Sequence, residues 1–320
     1  MNLIKAKNPT RRAFADRMVE RSETDKDFVV FESDIGYSTY SYLFGDKHPE
    51  RYFNMGIAEM GTVAAAAGMA AEGRNVVVCG YGVFLTMRAV EVVRSFICYP
   101  KLNVKFLSSH GGVTAAIDGV THQATEDIAF MTTLPNMKVL VPADSVSAAA
   151  AFDIALATPG PVFSRLMRDP LWELYPAGTD FVLGGSKTVR TGGDITIATY
   201  GDLVFQALEA AETLKAKGID TEVIDFYSLK PWDKKALAAS VARTGALVVA
   251  ENHQKRNGFG YEVAAWLLED GPGALPLGLV GLEDTFAESG DYFKTLTKFG
   301  LDAAGIAAKA ERVVARKKKA

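Results

Sequence analysis

The chain has 320 residues, 48% hydrophobic and 23% charged, and its 35 Lys plus Arg against 38 Asp plus Glu give a net charge of −3. That composition excludes a disordered, collagen-like or low-complexity chain, and the near-neutral balance argues against general nucleic-acid binding, which rests on neutralising phosphates. Two cysteines, Cys79 and Cys98, are too few for a disulfide framework or a four-ligand zinc site, and Cys79 reads as a small buried hydrophobe. No apolar run approaches the roughly 20 residues that span a bilayer, and the N-terminus has no signal-peptide core. A cytoplasmic protein with no nucleic-acid or membrane partner is expected. The basic run Arg316-Lys317-Lys318-Lys319 reads as a solvated end.

Short β-branched runs at 28–32, 75–79, 104–108, 138–141 and 161–164 predict strands. Alanine-rich stretches at 11–21, 58–71, 84–98, 125–133 and 145–157 predict the helices between them. Composition changes over 169–193, where Pro170, Pro176, Gly178, Gly184, Gly185, Gly192 and Gly193 interrupt any period; this reads as an interdomain linker with room for a short strand. A second alternation follows, with strands at 195–199, 221–225, 246–250 and 278–282 and helices at 202–217, 234–243 and 260–268. The pattern predicts an α/β protein of two parallel-sheet domains, at 1–170 and 191–320, joined by a linker at 171–190.

The phosphate-binding loop G-x-x-x-x-G-K-[ST] and a G-x-G-x-x-G strand–turn–helix are both absent, as are a G-x-S-x-G elbow and H-E-x-x-H spacing. Three other features carry chemistry. The first is the segment Gly56-Ile57-Ala58-Glu59, which opens a helix so poor in polar side chains that it should be buried on most sides. Glu59 is either an ordinary first-turn acid, favoured by the helix dipole, or a buried carboxyl poised to share a proton with a ligand. The second is the pair His110 and His122, in the loop after a predicted strand, with Asp118 four residues before the latter. They are either surface-loop residues or a proton-transfer and polyol-binding set. The third is Tyr81, Phe84 and Arg88, at helical spacing after a Gly-Tyr-Gly turn: a core stripe or a stacking face for a planar heterocycle.

Taken in chain order, these residues resemble one family. Arg11 in Thr10-Arg11-Arg12, Asp34 in Glu32-Ser33-Asp34-Ile35, Gly56-Ile57-Ala58-Glu59, Phe84-Leu85-Thr86 and His110 come first. Asp118-Gly119-Val120-Thr121-His122-Gln123, Leu134-Pro135-Asn136-Met137, Pro142-Ala143-Asp144, Leu229-Lys230-Pro231-Trp232-Asp233 and Glu251-Asn252-His253 follow. The set resembles the C-terminal half of a transketolase, its pyrimidine-binding domain followed by its C-terminal domain. The G-D-G…N-type motif of the family's diphosphate-binding domain is missing. The resemblance therefore implies the small subunit of a split transketolase, two copies of each subunit (α2β2), and a separate N-terminal subunit that holds Mg2+ or Ca2+ and completes the site for thiamine diphosphate.

By that resemblance Glu59 hydrogen-bonds the cofactor's aminopyrimidine ring, Phe84 stacks on it, and Tyr81, Arg88 and Ile57 line the same pocket. Asp34 lies near the cofactor at the subunit interface. His110, His122 and Asp118 contact the ketose donor and shuttle protons. Arg11, Ser38 and Arg165 match the family's sugar-phosphate anchors, which implies a two-carbon ketol transfer between anionic sugars. Met60, Val120, Ala124 and Met87 depart from the family pattern and bear on cofactor packing and substrate choice. Two relatives of the same size or motif set stand as rival readings: the beta subunit of a 2-oxo acid dehydrogenase and a deoxyxylulose-phosphate-synthase-like enzyme. A silent partner on the same fold is the non-enzymatic one. His253 reads as structural or as an interface residue.

Overall fold

Runs that are apolar on both faces pair as parallel strands covered by helices. In the computed structural model, which describes residues 3–317, Phe28–Glu32, Val104–Ser109 and Val162–Arg165 are buried along their whole length. The first sheet has seven strands, in the order Tyr52–Asn54, Phe28–Glu32, Asn75–Tyr81, Val104–Ser109, Val162–Arg165, Lys138–Leu140 and Ser228–Lys230. Six are mutually parallel; the last comes from the second half of the chain and runs antiparallel to Lys138–Leu140. The pairings Glu32 with Cys79, Tyr81 with Ser109, and Ser108 with Arg165 bring the carboxyl ends of four neighbouring strands to one edge. Ligands bind at such an edge in open α/β sheets.

The second sheet orders Leu277–Leu282, Leu247–Gln254, Ile195–Thr199 and Thr221–Asp225 in parallel, with Lys187–Arg190 antiparallel at its edge. Ile4–Lys5 and Trp172–Glu173 pair as a short antiparallel ribbon, and Trp172 packs on Phe205 and Phe293 of the second half. The stretch 169–193 thus holds two short strands. One hydrophobic core runs through both halves, from Val63, Val76 and Phe106 to Ile224, Val249 and Trp266. Trp232 stands edge-on to Phe226, Phe259 and Trp266 at centroid distances of 6.1, 5.5 and 5.1 Å.

Local chemistry sets several helix ends. Asp144 accepts from the Ser147 amide while the Ser147 hydroxyl oxygen accepts from the Asp144 amide, and this reciprocal cap starts helix Ser145–Ala157 where the sequence places it. Asp233 caps Lys234–Thr244, which Gly245 ends at a φ of 60°.

Three expectations change. The stretch 84–98 is not one α-helix: it is two wide π-turns, Phe84–Arg88 and Val93–Cys98, around the short α-helical Val90–Val92. Helix Glu59–Ala71 buries Glu59, Thr62, Val63, Ala66, Ala67 and Ala70, but the chain leaves Met60, Gly61 and Gly68 on its other face exposed. The basic end is not all free. Helix Ala303–Lys317 includes Arg316 and Lys317, and the Lys317 ammonium donates to the carbonyls of Asp194 and Thr244; Lys318 and Lys319 lie outside the described residues. Among the described residues no helix is long and apolar enough to cross a membrane.

Candidate active site

The carboxyl edge of the first sheet carries most of the residues picked out in the sequence. Tyr81 is the last residue of strand Asn75–Tyr81, not part of a helical stripe, and Phe84 follows in the first π-turn. His110 follows strand Val104–Ser109 directly, at a φ of 64°. Asp34, just past Phe28–Glu32, has a φ of 59°, and Ala116, in the loop between the histidines, 51°. Such left-handed positions are costly for residues with a Cβ, and they gather where a fold holds side chains for function.

Four rings form a box. The Tyr81 ring centroid lies 4.3 Å from His110, 5.5 Å from His122 and 6.0 Å from Phe84, and Phe84 lies 5.5 Å from His122. Both imidazoles are oriented through Nδ1, His110 by the Ser109 hydroxyl and His122 by the Thr121 hydroxyl, each at 2.9 Å. His110 is shut away from solvent. Burial pushes its pKa down to about 2, with the Arg11 and Arg168 guanidiniums adding to the effect. Asp118 Oδ2 approaches its Nε2 only to 3.8 Å, so this is a contact of a neutral imidazole rather than an ion pair.

Beyond Asp118 lies a cationic end. Arg168 Nε is 3.4 Å from Asp118 Oδ2, and Arg168 Nη1 pairs with Asp169. Arg11 Nε donates to the Arg168 carbonyl at 2.8 Å, and its Nη1 donates to the Ser38 hydroxyl at 2.9 Å and to the Ser38 carbonyl. Arg11 and Ser38, two of the three residues matched to anchors, therefore meet.

Arg165 does not join them. It is the last residue of its strand, 2% exposed, with Nε donating to Asp127 Oδ2 at 2.8 Å and Nη2 to the carbonyls of Ala124 and Asn252. Its Nε and Nη2 are engaged inside the protein and donate to neither Arg11 nor Ser38. Arg168, three residues further on and past the strand end, faces the cluster in its place. Sequence reasoning missed it, although its position in a loop at the carboxyl edge was a usable signal. Arg165 instead ties the loop of the histidines to the second domain: a Cβ on Gly111 would sit 2.4 Å from Arg165 Nε, and one on Gly112 2.4 Å from Asn252 Oδ1. His253 is buried in strand Leu247–Gln254, and its Nε2 accepts from the Ala129 amide at 3.3 Å.

Glu59 is the first residue of its helix and 3% exposed. Its carboxyl does not stand alone, because Arg88 Nη1 donates to Glu59 Oε2 at 2.8 Å. The same guanidinium lies 4.3 Å over the Phe84 ring. Asp34 and Ile57 stand apart from this cluster. Asp34 is exposed and accepts from Asn54 Nδ2 at 3.0 Å, and Ile57 is 77% exposed, so neither lines a pocket within this chain.

Glu59 and Phe84 fit an aminopyrimidine ring, which needs a buried carboxyl to share a proton with its ring nitrogen and an aromatic face beneath it. The flat, N–H-bearing guanidinium of Arg88 already makes both contacts at once.

Comparison with known proteins gives this geometry its family. Residues 6–171 match the family described as transketolase, pyrimidine binding domain, and residues 184–306 match transketolase, C-terminal domain. The chain belongs to the transketolase family. It is 37% identical over 309 residues to the 6-deoxy-6-sulfo-D-fructose transketolase subunit of a Clostridium species, covering 96% of this chain and 95% of that one. It is 32% identical over 297 residues to an apulose-4-phosphate transketolase subunit of Phocaeicola vulgatus, covering 92% and 94%. Among solved structures, a split gene transketolase described as an inactive beta4 tetramer superposes with a TM-score of 0.88 at 38% identity, over 97% of this chain and 99% of that one. The chain is thus a transferase-type subunit with the pyrimidine-binding and C-terminal halves of a split transketolase.

Proposed function

We propose that this chain is the C-terminal subunit of a thiamine-diphosphate-dependent enzyme that moves a two-carbon ketol unit from an anionic ketose to an aldose. In this reading it works in the cytoplasm, in pentose-phosphate-type sugar metabolism, and acts only with a separate diphosphate-binding subunit as α2β2. That subunit holds the divalent cation.

One observation carries the reading. A line of contacts runs from Glu59 through Arg88 and Phe84 to His122, Tyr81 and His110, then through Asp118 to Arg168, whose backbone carbonyl accepts from Arg11, and on to Ser38. It begins with a pyrimidine site, passes hydrogen-bonding groups suited to polyol hydroxyls, and ends in two guanidiniums suited to an oxyanion.

Thiamine diphosphate supplies the nucleophilic carbon that attacks a ketose carbonyl. Glu59 holds the pyrimidine edge and Phe84 its face. Neutral His110 accepts or donates a hydrogen bond to a donor hydroxyl, and Asp118 accepts from a second. His122, more open than His110, moves a proton as the carbon–carbon bond is cut. Arg11 and Arg168, with Ser38, fix the terminal anion. The two relatives are named for a sulfo sugar and a sugar phosphate, which supports an anionic substrate and leaves sulfonate and phosphate as the candidates.

The test is reconstitution with the diphosphate-domain subunit from the same cells, thiamine diphosphate and Mg2+. Ketol transfer from a 6-phospho- or 6-sulfo-ketose, absent with either subunit alone, is the expected result. Decarboxylation of a 2-oxo acid by the reconstituted complex, without ketol transfer, would replace this reading with the dehydrogenase one.

A further inference from the structure

Arg88 makes two contacts that the pyrimidine ring of the cofactor also requires. Its guanidinium is planar, carries N–H donors on its edge and has two flat faces. One donor is spent on Glu59 Oε2 at 2.8 Å, and one face lies on Phe84 at 4.3 Å. An aminopyrimidine is likewise flat, and its ring nitrogen shares a proton with a carboxyl at its edge. The two groups cannot hold the same carboxylate oxygen and the same ring face together.

The backbone explains the coincidence. Phe84 and Arg88 bound a π-turn, in which the Ala89 amide donates to the Phe84 carbonyl five residues back. That wide turn sets Arg88 above Phe84, so its side chain reaches over the ring toward the start of helix Glu59–Ala71. Arg88 can also leave. Its side chain is 49% exposed against 4% for Glu59, and among the described residues its guanidinium has no other hydrogen-bond acceptor.

We propose that Arg88 is a placeholder for the cofactor: in the free subunit its guanidinium occupies the positions on Glu59 and Phe84 that the aminopyrimidine of thiamine diphosphate takes, and it swings outward when the cofactor loads. This deepens the proposed function and rests on its assignment of Glu59 and Phe84. The placeholder keeps a buried carboxylate compensated before loading, when it would otherwise lie unpaired. It also sets a competition that weakens apparent cofactor affinity by the fraction of subunits in which Arg88 is seated.

The experiment is a thiamine diphosphate titration of the two-subunit complex, stripped of cofactor and held at saturating Mg2+, followed by protein fluorescence for Kd and loading rate. A half-exposed ion pair together with a cation–π contact predicts that Arg88→Met tightens binding and speeds loading by about five- to tenfold. Arg88→Met should also lower the melting temperature of the stripped complex and leave that of the loaded complex unchanged. Arg88→Lys, which keeps the charge but not the plane, should fall between. Unchanged or weaker binding in Arg88→Met overturns the placeholder and makes Arg88 an ordinary wall of the pocket. Glu59→Gln and Phe84→Ala in the same titration separate the two levels. If both weaken binding while Arg88→Met does not tighten it, only the placeholder fails; if neither changes binding, the site assignment fails and the placeholder with it.

Discussion

Arg165 Nε donates to Asp127 Oδ2 at 2.8 Å, with both side chains shut off from solvent, and the second Arg165 nitrogen reaches the carbonyls of Ala124 and Asn252. The pair holds the loop of His110, Asp118 and His122 against the second domain. The polar network continues there, from Asn252 to the Val113 amide and to Asp202, which also accepts from the Tyr292 hydroxyl.

Two arginines three residues apart should therefore fail differently. Arg165→Met leaves Asp127 buried without its partner, a change that costs about 3–5 kcal/mol in such pairs, so thermal melting of the complex should drop markedly. Arg168→Ala should leave melting nearly unchanged and raise KM for an anionic sugar about 10- to 100-fold, the size of one charged hydrogen bond lost. Steady-state kinetics with phosphorylated and neutral sugars, beside a melting curve, checks both. A large KM effect confined to Arg165→Met, with no loss of stability, would restore Arg165 as the anion anchor.

The inward placement of Arg165 has a simple origin. A sequence gives the charge at a strand's end but not which way the side chain points, and here Asp127, distant in sequence, draws it inward. The π-turns at Phe84–Arg88 and Val93–Cys98 were equally hidden, because an extra residue per turn leaves no mark in an apolar pattern. Where chemistry is local, the sequence was informative. The Asp144–Ser147 cap fixed the start of helix Ser145–Ala157, and short runs rich in Ile, Val and Thr marked strands Ile195–Thr199 and Thr221–Asp225. The strand Ser228–Lys230 was missed because its partner, Lys138–Leu140, belongs to the other half of the chain.

His110, with a pKa near 2, stays neutral throughout the working range, so it serves the substrate as a hydrogen-bonding group and not as a cation. His110→Asn should lower kcat/KM about three- to tenfold, the size of one neutral hydrogen bond lost. The native pKa lies below the unfolded one, so the unfolded chain binds the extra proton below the ordinary histidine range. The stability contributed by neutral His110 is present above that range and is lost as pH falls. Acid melting curves of His110→Asn should therefore be flatter than those of the parent below pH ~6.5.

A second pH effect has the opposite sign. Burial pushes the Asp225 carboxyl up to about 8; the Tyr175 hydroxyl donates to its Oδ2 at 2.6 Å, and among the described residues its Oδ1 has no partner. Between the ordinary aspartate range and pH 8 the native state holds a proton that the unfolded chain has released. Stability from this group is therefore greatest at low pH and declines as pH rises through that window. Asp225→Asn, which mimics the protonated form, should remove the decline. Chemical denaturation at several pH values measures it, and an unchanged slope in Asp225→Asn would show that another group sets the dependence.

Glu59→Gln tests the centre of the functional reading. Glutamine keeps the shape and can still hydrogen-bond a ring nitrogen, but it cannot hold or share a carboxyl proton. The reconstituted complex carrying it should fold and assemble normally while turnover falls by about 10²- to 10⁴-fold, the range assigned to a lost proton-transfer group. Exchange of the thiazolium C2 proton of bound cofactor for deuterium, followed by NMR after acid quench, isolates the step before any sugar binds. Slowed exchange matching the loss of turnover would place Glu59 in cofactor activation. Normal exchange with lost turnover would move it to substrate handling, and normal turnover would reduce Glu59 to a first-turn helix acid paired with Arg88.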